Sequence, residues 1–235
     1  MSTSQNNVME FADLARALGA AGEESDRLML AVNAAVELIP GCLHAGITIN
    51  RDGECHTLAA TGEVLSAINV LENELGEGPC HAPDRDEEIV EINDLLGDER
   101  WSVWGGRING DFQLGSMISI FVYTARGSYG TLSLYGSTPH AFDADDLATA
   151  QALAGHLAVA LAAGREIEGM SAALQSRTVI GQAEGILMER LGVDSDQALA
   201  YLKRISSHTN TKLVQVAGDI VRTRQLPEAP DRTIG

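Results

Sequence analysis

Lysine is nearly missing from this chain: 235 residues contain two, Lys203 and Lys212, against 33 Asp and Glu. A sequence pI near 4.6 excludes a protein that coats nucleic acid over its whole surface. Cysteine is scarce as well. Cys42, Cys55 and Cys80 stand at least 13 residues apart and form no CxxC. An odd, sparse set makes no disulfide framework, suits a reducing compartment, and reads as three small buried residues rather than as redox sensors. No zinc spacing is present. No apolar run approaches the roughly 20 residues that span a bilayer. The N-terminal MSTSQNNVMEFADLARALG lacks a basic n-region and a long apolar h-region. These absences lead to the expectation of a cytoplasmic chain without a membrane partner. G-x-x-x-x-G-K-[ST], G-x-S-x-G and H-E-x-x-H are also absent, so no enzyme is expected.

What basic charge exists is unevenly placed. Residues 1–170 carry 8 Arg and no Lys against 26 Asp and Glu, whereas residues 171–226 carry 7 Lys and Arg against 5 acids. An acidic body with a small basic end fits a sensor joined to an output module that touches something anionic.

Hydrophobic periodicity divides the chain the same way. Val8, Phe11, Leu14 and Leu18 recur at helical spacing, followed by Leu28, Val32, Ala35 and Ile39 up to Pro40-Gly41. AGITIN (45–50), the turn Arg51-Asp52-Gly53 and ECHTLAA (54–60) predict a β-hairpin. A helix is predicted over 63–75, a strand over 88–92, a helix around Trp101 to Phe112, and strands over 116–124 and 130–136. Asp143 is placed to cap a long helix reaching about residue 191. The fold class is therefore α+β, an antiparallel sheet flanked by helices, ending in a small all-α three-helix module. The domains read as a flexible N-terminus over 1–7, a sensory domain over 8–165, a helical module over 166–226 and a disordered tail over 227–235. Leu153, Leu157, Ala160, Ile167 and Leu174 fit one heptad seam, and a homodimeric coiled coil through helix 143–191 is its expected partner. Asp194 and Gln197 have capping-box spacing, and Asn210 or Thr209 is placed to cap a last helix.

RTVIGQAEGILMERLGV (177–193), DQALAYLKRIS (196–206) and NTKLVQVAGDIV (210–221) resemble the ANTAR family over about 50 residues. That resemblance implies a helical RNA-binding module acting in transcription antitermination on stem-loops in messenger RNA leaders. Its small-residue positions fall on Ala183, Gly185, Ala198 and Ala217 and its recurrent Asn on Asn210, with Ala183 and Gly185 expected to let helices approach. Arg177, Arg190, Lys203, Arg204, His208 and Lys212 are the candidate RNA contacts. Glu184 occupies a position where many relatives carry Lys.

GEGPC (76–80), VEINDL (90–95), DERW (98–101) and GTLSLY (130–135) are similar to the GAF family, whose members bind small molecules between sheet and overlying helices. Cys80-His81 matches the pair to which some relatives attach a bilin, but the same turn recurs in relatives without chromophore, and His44, His56, His140 and His156 lack haem-type pairing. No cofactor is expected, and the domain's small-molecule ligand is unknown. With no receiver-type domain ahead of the ANTAR segment, a two-component-like regulator controlled through the GAF domain is expected. A DNA-binding helix-turn-helix factor, or a sensing module with degenerate RNA binding, is the alternative.

Overall fold

A computed structural model describes residues 3–81, 88–125 and 127–226, with side chains from residue 11 onward. The carboxylate run Asp84, Asp86, Glu87 and Glu88 reads from sequence as a solvated loop; its first three residues and the tail over 227–235 lie outside the described residues, and Glu88 is exposed. The chain divides into two compact units between Arg165 and Glu166.

In the first unit the strands are β1 (His44–Arg51), β2 (Glu54–Ala60), β3 (Ile89–Ile92), β4 (Ser116–Thr124) and β5 (Gly127–Gly136). They form one antiparallel sheet in the order β2-β1-β5-β4-β3. The helices are α1 (Thr3–Ala20), α2 (Glu24–Leu38), α3 (Glu63–Leu75), α4 (Ser102–Phe112) and α5 (Ala144–Leu191). The backbone of α1 is already helical from Thr3, inside the segment that sequence placed as a flexible end.

Side-chain alternation along the strands gives the sheet two different faces. Ile118, Ile120 and Val122 of β4 and Leu132 and Leu134 of β5 turn to one face, where they pack with Leu28, Val32, Ala35, Leu153 and Leu157 of α2 and α5. Met117 and Tyr135 turn to the other, among Leu65, Ile68 and Leu71 of α3 and Trp104 and Ile108 of α4. Each fully buried aliphatic contributes about 1.5–3 kcal/mol of transfer free energy. On this second face Thr48, Ser119 and Ser133 are also buried, so part of it is polar.

Helix α5 is capped by Asp143, whose Oδ1 accepts from the Asp145 and Asp146 N–H groups at 2.8 and 2.9 Å. The heptad seam splits along its length. Leu153 and Leu157 are fully buried in the sheet-facing core, whereas Ile167 and Leu174 are 64% and 70% exposed. Between the two halves Gly164 makes room for a side chain: a Cβ there would stand 2.4 Å from the buried Arg27 guanidinium, which lies against the helix. Beside it Arg165 pairs with Glu24 at 2.8 and 2.9 Å and stacks over Tyr129. The same helix corrects the reading that no stretch is apolar enough to span a bilayer. By length and composition α5 qualifies, yet its Ala150, Leu153, Ala154, Leu157 and Leu161 are core residues.

The second unit contains the C-terminal part of α5 with α6 (Ser195–Thr209) and α7 (Leu213–Thr223). Asp194 and Gln197 close the predicted capping box. Ala183, Ala198 and Ala217 are fully buried with Leu187, Leu202, Val216 and Ile220. Three alanines at the contacts let the helices approach closely, because a larger side chain would overfill the centre.

Candidate functional sites

The polar part of the second sheet face opens into a pocket of about 530 Å³, whose lining includes Asn50, Cys80, His81, Ser119, Phe121 and Thr131. Ser119 and Thr131 also line a second, much smaller cavity with Thr48, Asn69 and Ser133, where side chains are hydrogen-bonded. Asn69 Nδ2 donates to Thr48 Oγ1 at 3.1 Å and to Thr57 Oγ1 at 2.7 Å, and Ser119 and Ser133 hydroxyls share a bond at 3.3 Å. Buried groups satisfied in this way hold fixed positions, whereas unpaired ones would cost about 1–3 kcal/mol each. At the rim the Tyr123 hydroxyl donates to Glu88.

Pro79 and Cys80 of the Gly-Glu-Gly-Pro-Cys turn line one wall, and the turn is held by several specific contacts. Gly76 ends α3. Glu77 Oε2 accepts from the Trp104 N–H at 3.2 Å in the first turn of α4, supplying a carboxylate to a helix start. Gly78 has φ +124°, and a Cβ there would stand 2.3 Å from Glu72 Oε1, so glycine is required on both counts. Cys80 donates its N–H to Glu72 Oε1 at 3.3 Å and accepts from Asn50 Nδ2 at 3.0 Å. Glu72 is itself buried, and desolvation pushes its carboxyl up to about 8 against the opposing pull of the Cys80 N–H. Tyr135, fully buried nearby, is pushed well above the ordinary tyrosine range by desolvation and by the Glu72 charge.

The cysteines differ from expectation. Cys55 and Cys80 are disulfide-bonded across 25 residues, with Cα atoms 6.2 Å apart, and only Cys42 is free. The pair forms because Asn73 of α3 clamps β2, accepting from the Cys55 N–H at 2.8 Å and donating to its carbonyl at 3.0 Å. That clamp sets the turn after α3 against the turn end of the hairpin, where Asn50 also bonds the Cys80 carbonyl. The absence of zinc spacing is likewise overtaken by folding: one ligand atom each from Cys55, Glu72 and Cys80 lie within 4.8 Å of one another. His44, His56, His140 and His156 join no such group among the described residues.

In the helical unit Arg177, Arg190, Lys203, Arg204, His208 and Lys212 are all exposed. Arg177, Arg190, Lys203 and Lys212 make no ion pair among the described residues. Helix α6 continues to Thr209, so Lys203 and Arg204 lie more than a turn before its end. Complementing the helix dipole, an effect confined to the last turn, does not account for them. Arg204 and His208 are four residues apart on one face with Tyr201, whose ring lies 5.4 Å below the Arg204 guanidinium. Sequence reading passed over Tyr201; the signal available was its spacing three residues before Arg204. Asn210 is not the cap of the last helix. It ends α6 in the left-handed region (φ 50°, ψ 36°), its N–H bonded to the Ser206 carbonyl, and Lys212 opens α7. Gly185 also departs from its expected role: it is exposed, and a Cβ there would meet nothing within 4 Å. It borders a shallow groove of about 500 Å³ lined also by Gln182, Arg190 and Arg224. Glu184 is half-buried beside it.

Fold and sites together define a sensory domain joined to a small helical output module. The chain belongs to the GAF domain family, whose model matches residues 23–162, and carries an ANTAR domain over residues 168–221. GAF domains are sensory, ANTAR domains are RNA-binding antitermination modules, and both are soluble domain types. The fold is similar to that of the GAF domain of a phosphoenolpyruvate-protein phosphotransferase from Acinetobacter, at 17% identity and TM-score 0.53 over 72% of this chain and 99% of that one. The corresponding domain from Coxiella burnetii gives 20% identity and TM-score 0.54 over the same shares, 72% and 99%. The chromophore-binding domain of a bacteriophytochrome from R. palustris gives 12% and 0.53 over 72% of this chain and 64% of that one. A comparison with curated proteins found no match.

Proposed function

We propose that this protein is a cytoplasmic, non-enzymatic regulator in which the GAF domain controls RNA binding by the ANTAR domain at structured leader transcripts, promoting antitermination. The observation that carries the reading is the ANTAR match over a module in which the exposed Lys203 and Lys212, on either side of the Asn210 turn, make no ion pair among the described residues. Phosphates supply the affinity, and unpaired loop bases, which stack on aromatic and guanidinium planes such as Tyr201 and Arg204, supply selectivity. A ligand in the GAF pocket acts only by binding two states of α5 with different affinity, since that helix starts in one domain and ends in the other.

Two ANTAR domains act together in this reading. Ile167, Met170 and Leu174 are 64%, 63% and 70% exposed at helical spacing, an apolar stripe that a second copy of α5 covers. Paired modules bind more tightly than single ones through effective concentration. Competition between stem-loop RNA and duplex DNA at fixed salt tests the assignment. RNA should displace bound RNA well below the concentration at which DNA does, and the reverse order would favour a helix-turn-helix factor. Glu184 and the net charge of −17 favour a second reading, a sensing module with degenerate RNA binding. Under it, Lys203→Glu with Lys212→Glu leaves read-through in cells unchanged.

A further inference from the structure

We propose that reduction of the Cys55–Cys80 bond opens a site for one thiophilic divalent cation of the zinc class, held by both cysteine sulfurs, the Glu72 carboxylate and the His81 imidazole. The four residues come from three elements, β2, α3 and the turn after α3, so the site exists only in the folded domain. Both sulfurs and a Glu72 oxygen lie within 4.8 Å of one another. His81 Nε2 stands 3.4 Å from Cys55 Sγ. With zinc–sulfur bonds of about 2.3 Å and zinc–nitrogen bonds of about 2.0 Å, neighbouring ligands of a tetrahedral ion lie roughly 3.5 Å apart. The His81–Cys55 separation already has that value, and the two sulfurs, bonded to each other in the disulfide, move apart to it once reduced.

Two further features fit a built site. Glu72 is a fully buried carboxyl with no cationic side chain in ion-pair range among the described residues, and Gly78 gives it room by lacking a Cβ. In the oxidised chain His81 Nε2 donates to Asn73 Oδ1 at 3.2 Å, a bond that ligation through Nε2 replaces, with the ring proton then carried on Nδ1. Cys80 and His81 also line the open pocket, which provides an entry path. Two sulfurs with one imidazole and one carboxylate select zinc or cobalt over magnesium or calcium.

The steps balance. A dithiol reductant gives two electrons and two protons to the disulfide, leaving two cysteine thiols and becoming a disulfide itself. The cation then takes two thiolates and one carboxylate, releasing two thiol protons and the Glu72 carboxyl proton. This site concerns the GAF domain alone and does not depend on RNA binding.

Cobalt(II) titration of the full chain tests it, after reduction by a trialkylphosphine, which becomes its oxide with water and leaves no competing dithiol. The reduced chain should take up one cobalt per chain with a near-ultraviolet thiolate-to-cobalt charge-transfer band that zinc abolishes. The oxidised chain should show none, a comparison that needs no variant. Cys42→Ser should keep the band and Cys55→Ser should lose it. Glu72→Gln and His81→Ala should weaken binding by at least the roughly 10–100-fold that loss of an outer-shell partner costs. A reduced chain without the band, an equal band in the oxidised chain or in Cys55→Ser, or unchanged affinity in Glu72→Gln would overturn the proposal.

Discussion

Glu72 and Cys42 show how burial sets chemistry one residue at a time. An acid whose carboxyl is raised to about 8 binds a proton in the folded state that the unfolded chain has already released near pH 4–5. The cost is absent below about pH 4, grows as pH rises, and levels off above about pH 8. In the oxidised, metal-free chain, Glu72→Gln should therefore be more stable than wild type at pH 8 and about equal at pH 4. The wild-type loss should run at up to about 1.4 kcal/mol per pH unit, read from denaturant unfolding across pH. Cys42 is buried, donates its thiol to the His44 carbonyl at 3.3 Å, and is pushed up to about 12 by desolvation. Alkylation followed by intact mass should add no label to the native oxidised chain, one after unfolding without reduction, and three after reduction and unfolding. The disulfide closes a loop between residues 55 and 80, so reduction should also lower stability by roughly 3 kcal/mol.

At the scale of elements, features set by neighbouring residues were readable in sequence, and features set by tertiary contact were not. Alternation and turn chemistry placed the β1–β2 hairpin and β4. Helical period with a following Gly-rich turn placed α3, and the Asp194–Gln197 spacing placed the start of α6. Asn210, offered with Thr209 as a cap of α7, ends α6 instead, because asparagine serves both N-caps and left-handed C-caps and only the backbone separates the two. Asn210→Gly should leave thermal stability close to wild type, whereas Asn210→Val should cost about 1–2 kcal/mol. The α5 seam was read as one stripe because core-facing and partner-facing residues follow the same spacing until the sheet ends. Its buried half belongs to the GAF core and its exposed half is free for a partner. Sedimentation should find a dimer, and Ile167→Glu with Leu174→Glu should shift it to monomer without loss of helical content. The Cys55–Cys80 pairing lay beyond sequence because it depends on the Asn73 clamp, a contact between elements 18 residues apart.

Across the whole molecule, the charge division seen in composition coincides with the division of the fold. Residues 1–165 carry 8 Arg against 24 Asp and Glu, whereas residues 166–235 carry 8 Lys and Arg against 9 acids, so the acidic charge falls on the GAF unit and the ANTAR unit is close to neutral. An acidic domain attached to a nearly neutral one whose cations are clustered keeps RNA affinity modest and makes it dependent on salt and pairing. Reversing Lys203 and Lys212 should weaken RNA binding at every salt concentration and flatten the salt dependence by about 0.7 log units per lost phosphate contact. The central claim, that this surface binds structured RNA, is tested most directly by immunoprecipitating the chain from cells and sequencing the RNA it retains. The account predicts enrichment of stem-loops from transcript leaders that the Lys203→Glu, Lys212→Glu chain does not recover. Equal recovery by both chains, or no enrichment over input, would contradict it.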